Sequence, residues 1–130
     1  MRAIKFRAKV FQNPKKTYLG NYKNGEWVYG DLHLLSPNPH IHPDIGKIAP
    51  IDKETVGQFT GLLDKNSKEI YEGDFLCGKG GIFRIIWFEP MLRFAAVCRN
   101  CIWYNLEEKN ASSWEVIGNI YDNPELLKLE

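Results

Sequence analysis

A chain of 130 residues that is 44% hydrophobic and 25% charged falls within the range of one globular domain with a sizeable core. No run of about 18 apolar residues exists, and the opening MRAIKFRAKV has no apolar stretch of the export type, so a soluble, cytoplasmic protein is expected rather than a membrane or secreted one. The net charge of +1 hides polarity along the chain, because residues 1–23 hold seven Lys or Arg and no acid, whereas residues 66–130 hold ten acids against seven bases. Such ends suit pairing within or between chains, or a basic end that faces phosphate.

In Ile4 to Val10, apolar and basic residues alternate, which sends Ile4, Phe6, Ala8 and Val10 to one face of a strand and Lys5, Arg7 and Lys9 to the other. Tyr18–Tyr22 and Glu26–Leu35 flank Lys23-Asn24-Gly25, and Asn-Gly predicts a hairpin with a type I′ turn. From Ser36 to Glu54 four prolines interrupt the pattern, and a long loop is expected, a place where an interaction site would be least surprising.

A strand near Val56–Leu63, a turn at Asp64-Lys65-Asn66-Ser67 and an arm from Glu69 to Leu76 come next. Lys79-Gly80-Gly81 leads into Ile82–Phe88, whose β-branched and aromatic residues predict a buried strand that Pro90 ends. Phe94–Val97 and Ile102–Leu106 form a further hairpin, then a polar stretch precedes a last strand at Trp114–Tyr121. Asp122-Asn123-Pro124-Glu125 is a helix start, with a capping side chain before a proline and an acid in the first turn. Val56–Thr60 echoes Ile117–Tyr121, which allows two similar strands side by side.

TVGQFTGLLDKNSKEIYEGD at 55–74, EVIGNIYDNPELL at 115–127, IKFRA near the start and WVYG at 27–30 resemble the YopX family of bacteriophage and prophage proteins over nearly the whole chain. Ser67 stands where that family usually has Gly, and Phe75-Leu76 replaces a commoner β-branched pair. The resemblance implies a mostly β, antiparallel protein with an SH3-like barrel in its second half, one or two short helices, a phage or prophage origin, and a molecular role uncharacterised for that family. It brings no catalytic residues. Residues 1–130 are expected to form a single domain, with N-terminal strands and the Pro-rich loop in 1–54 and the barrel with its short C-terminal helix in 55–130. Gly61 and Gly73 permit tight backbone paths, Asp64 and Asn66 favour the turn, and Asp74 is placed to bond nearby amides.

The chemistry-bearing groups are few. Cys98-Arg99-Asn100-Cys101 is one CxxC, which Cys77 with His40 or His42 would complete as a zinc site, but a lone CxxC is better read as two reduced thiols filling a hairpin. A redox role lacks a helix N-terminus to activate the thiolate. His40 and His42 share a side of an extended segment, a spacing that suits a metal or a proton switch, although such residues are more often exposed polar loop positions. Glu72 and Asp74 also share a side, but no His, Ser or Lys joins them at a telling spacing, and no phosphate loop or zinc-protease motif is present. No enzyme activity, metal or cofactor is therefore expected. A non-catalytic interaction module that binds a phage or host protein, or itself, is the favoured expectation, with nucleic-acid binding through Lys5, Arg7 and Lys9, beside stacking by Trp27, Tyr29 or Trp103, as the alternative. Lysines on an outer strand would equally guard a sheet edge.

Overall fold

The alternating start of the chain forms strand β1 (Phe6–Lys9), whose Ala8 is fully buried, with Val10 buried just beyond the strand. The computed structural model describes residues 4–11, 22–34, 39–98 and 104–128. It is mostly β, with antiparallel sheets and little helix, and it divides into two compact units between Gln58 and Phe59.

In the first unit, β1 lies between β2 (Trp27–His33) and the first two residues of β5 (Gly57–Leu63). Beyond β2 come β3 (His40–His42) and β4 (Ala49–Pro50), giving the order β4-β3-β2-β1-β5. Ala8, Val10, Val28, Ile41, Ala49 and Ile51 form its core. A fully buried Ile or Val contributes about 1.5–3 kcal/mol, so the unit rests on a handful of side chains.

The expected loop from Ser36 to Glu54 is broken by short elements, β3, β4 and a 3-10 turn at Lys53–Thr55, with bends and turns between β3 and β4, while positions 36–38 lie outside the described residues. The prolines misled because Pro also biases its neighbours to extended backbone and is accepted on edge strands, and Pro50 sits in the edge strand β4. The turn before β2 is not type I′, since of its two central residues only Gly25 takes positive φ, 84°. The bond from Glu26 N–H to Lys23 O closes it. The arm expected at 18–22 lies, apart from Tyr22, outside the described residues.

The second unit continues β5 and adds β6 (Glu69–Tyr71), β7 (Asp74–Gly78), β8 (Gly81–Phe88), β9 (Arg93–Val97), β10 (Tyr104–Asn105), helix α1 (Glu108–Ala111) and β11 (Glu115–Asn119). Its main sheet runs β10-β9-β8-β7-β11. The sheet ends at β10 and β11, and among the described residues no pairing closes it into a barrel. β11 pairs with β7 and not with β5, so the two similar segments are not neighbours in a ladder. Expected as a buried strand, β8 is buried only at Phe83 and Ile85: Ile82, Arg84 and Ile86 on the other face are half-buried, and Trp87, on the same face as Phe83 and Ile85, is 40% exposed. The C-terminal helix is a 3-10 segment at Pro124–Lys128. Ile70, Leu76, Phe83, Ile85, Phe94 and Trp114 carry this unit's core, with Phe83 and Trp114 stacked at 4.9 Å between centroids.

Candidate functional site

The pleat of β3 puts His40 and His42 on one face, with fully buried Ile41 on the other. Antiparallel register then sets His33 of β2 opposite His40, and Asp31 opposite His42. Three imidazoles therefore meet on one surface. His33 and His40 stack at 5.1 Å, and His42 meets them edge-on at 4.4 Å and 4.8 Å. His40 and His42 were visible in the sequence as an HxH pair, whereas His33 was missed. Its signal lay in the β2–β3 register, which no local pattern reveals.

Approach of β3 to β2 depends on Gly30. At φ 151° it faces the backbone of β3, and a Cβ there would run into the His42 carbonyl oxygen. An open cavity of about 560 Å³ adjoins this point, lined by His33 and His42 together with Asp31, Asp44 and Gly46.

The basic stripe is arranged differently from the exposed row that alternation suggests. Arg7 is only 6% exposed, its guanidinium carbon 4.6 Å from the centroid of the Trp27 ring, and Lys9 Nζ is 5.4 Å from the same ring. Lys5 and Lys9 are half-buried. β1 is also an interior strand of its sheet, so these side chains do not guard an edge. Arg7 thus presents little surface to a phosphate. Tyr29 is exposed, and Trp103 lies outside the described residues.

A second depression in the first unit, about 620 Å³, has Phe11, Leu34, Pro39, Ile51 and Val56 as apolar walls and Asp52, Lys53 and Glu54 as a charged rim. Phe11 and Leu34 leave more than half of their surface in water, 62% and 59%.

The family model described as YopX protein matches residues 5–128, nearly the entire chain. The chain belongs to the YopX family. Its fold is similar to the crystal structure of protein EF1440 from Enterococcus faecalis, with a TM-score of 0.51 and 22% identity, over 98% of this chain and 99% of that one. At that identity the likeness speaks for the fold alone. No curated protein matches the chain.

The segment that carries the YopX resemblance has structural work to do. Gly61 and Gly73 take φ of 87° and 93°, which a side chain would resist. Asp74 is buried and accepts a 2.8 Å hydrogen bond from Tyr71 N–H across the Glu72-Gly73 turn. Asp64 Oδ1 accepts from Asn66 N–H and Lys68 N–H at 2.8 and 2.9 Å, and its Oδ2 accepts from Val116 N–H. Burial alone would raise the Asp64 pKa, but those three backbone donors and the Lys68 charge outweigh it, and the carboxyl lies below its ordinary value.

Among the cysteines, Cys77 is a free, exposed thiol. Cys98 is held in a disulfide, which corrects the expectation that the CxxC thiols are reduced. An odd count requires only that one thiol be left over. The Cys98 sulfur is then no zinc ligand, and Cys101 lies outside the described residues. Among the described residues, no helix is long and apolar enough to cross a membrane.

Proposed function

We propose that this YopX-family protein is a non-catalytic interaction module of phage or prophage origin, and that the partner it binds is a second copy of itself. Leu92 is the observation that carries this reading. It sits between β8 and β9 at φ 50° and ψ 48°, and it is 69% exposed. A non-glycine residue in left-handed backbone costs about 1–2 kcal/mol. An exposed leucine gains nothing from burial to offset that, and unfavourable backbone of this kind concentrates at sites of interaction. Met91 beside it is 51% exposed, so the turn is an apolar tip.

On a second copy, the depression walled by Phe11, Leu34, Ile51 and Val56 has the matching apolar character. Turn against groove is a heterologous contact, which builds a ring or an open chain of subunits instead of a two-fold dimer. A phage or host protein that presents a similar apolar turn is the other occupant such a groove would accept. The structural duties of Asp64 and Asp74 support a role without chemistry.

Light scattering during gel filtration, over a concentration series, tests this with the wild-type chain and Leu92→Asn. Asn tolerates left-handed backbone and removes the apolar tip, so the variant should fold at least as stably and run as a 15.1 kDa monomer while the wild type associates. A wild type that stays monomeric at every concentration ends the self-association reading.

A further inference from the structure

We propose that His33, His40 and His42 form a binding site for a divalent first-row transition metal of the zinc class, with three imidazole ligands and a fourth position open to water or an incoming ligand. These are all the histidines in the chain, and the cluster draws them from two strands 33–42 in sequence onto one face. Their ligand nitrogens all lie within 4.8 Å of one another. A tetrahedral zinc with bonds of 2.0–2.1 Å separates its nitrogens by about 3.3 Å, so each ring needs to swing inward by only about 1 Å. His33 is exposed and the other two are half-buried, so the cluster borders solvent.

The backbone beneath them is fixed. Ile41 is fully buried between His40 and His42, Pro39 and Pro43 flank the strand, and Gly30 admits the His42 carbonyl at close range. Ring packing alone would be better served on a strand by Tyr or Phe, which have the higher β propensity. Three histidines add what those residues lack, imidazole nitrogens that can bind a metal, gathered within 4.8 Å of one another. Imidazoles favour zinc, copper, nickel or iron over magnesium and calcium, whose preferred ligands are oxygens. Three protein ligands beside an open cavity of about 560 Å³ match the coordination of zinc sites that keep a position free. Asp31, opposite His42 in register, and Asp44 in the cavity wall are the carboxylates placed to orient ligand imidazoles from outside.

Cobalt(II) titration of the full chain, free of any affinity tag, reads this site through the strong visible absorption of four-coordinate cobalt. One cobalt per chain is expected, displaced by zinc, with affinity at least about 10-fold weaker in each of His33→Ala, His40→Ala and His42→Ala, since loss of an outer-shell partner alone costs 10–100-fold. Cys77→Ser should bind as the wild type does. Should an alanine variant not fold, zinc added to the wild-type chain answers the same question by NMR: the ring-proton signals of all three histidines should shift together and saturate at one equivalent. Ring signals that do not move, no cobalt uptake by the wild type, or uptake that depends on Cys77 would each overturn the proposal.

Discussion

Asp64 and Val116 are 52 positions apart, yet the Asp64 Oδ2 accepts the Val116 N–H at 2.9 Å, fastening the turn after β5 to the first pairs of β11. The same turn is tied again by Lys65 N–H donating to the Trp114 carbonyl at 2.9 Å. One buried carboxylate therefore closes the turn locally, through Asn66 and Lys68, and anchors a strand from the far end of the chain.

Asp64→Ala should cost about 3 kcal/mol, because three backbone donors lose a charged acceptor. Asp64→Asn should cost less, since one carbonyl oxygen remains. The pH dependence has a definite sign. The folded pKa is lowered, so the carboxylate contributes in full above its unfolded value of about 3.9, and its contribution is lost as pH falls through the folded value. Urea titrations of wild type and Asp64→Asn should show a constant gap near neutral pH that closes in strong acid. A gap unchanged in acid would mean that the carboxylate charge is not what holds the turn.

Gly78 shows a packing demand without a backbone one. Its backbone is not left-handed, but a Cβ there would overlap the indole of Trp114, which stacks on Phe83. Gly78→Ala should therefore destabilise by about 1–3 kcal/mol through overpacking, with a changed near-UV circular dichroism signal from the displaced Trp. A neutral Gly78→Ala in thermal unfolding would show that the indole has room to retreat.

Arg7 and Trp27 separate stability from nucleic-acid contact. The cation–π stack of a desolvated guanidinium is worth about 2 kcal/mol, so Arg7→Ala should lower the denaturation midpoint. Arg7→Lys should not restore it, because the planar stack is lost. Any weak DNA or RNA shift should keep the wild-type salt slope in Arg7→Ala. A flatter slope with unchanged stability would instead make Arg7 a phosphate contact.

What the amino-acid order reveals follows from the range of the interactions. β1, the β7–β8 turn at Lys79-Gly80 and the Asp64 turn were legible because alternation, glycine and side-chain capping act within a few residues. The burial of Arg7 was not, since it depends on Trp27 arriving from β2 and on β5 covering the other edge of β1. Likewise, the HxH pair was visible but its third member was not: only the β2–β3 register brings His33 opposite His40. Helix α1 escaped notice in a polar stretch because its stability is not in an apolar stripe. It rests on a reciprocal cap, with Asn110 Oδ1 accepting from Glu107 N–H and the Glu107 side chain returning the bond.

Gly30 offers a way to test that register without touching an imidazole. In Gly30→Ala the new methyl group would meet a backbone oxygen, that of His42, and a backbone atom held in a ladder cannot swing aside as a side chain can. The strain should fall at the upper end of the roughly 1–3 kcal/mol typical of overpacking, and it should be relieved by local separation of β3 from β2 instead of by global unfolding. Amide exchange should then accelerate at Ile41 and His42 while the core of the second unit keeps its protection, as expected when opening is confined to one element. Uniform acceleration across both units would show that β3 is not an independently opening element, and unchanged exchange would show that β3 does not approach β2 as closely as the His42 carbonyl indicates.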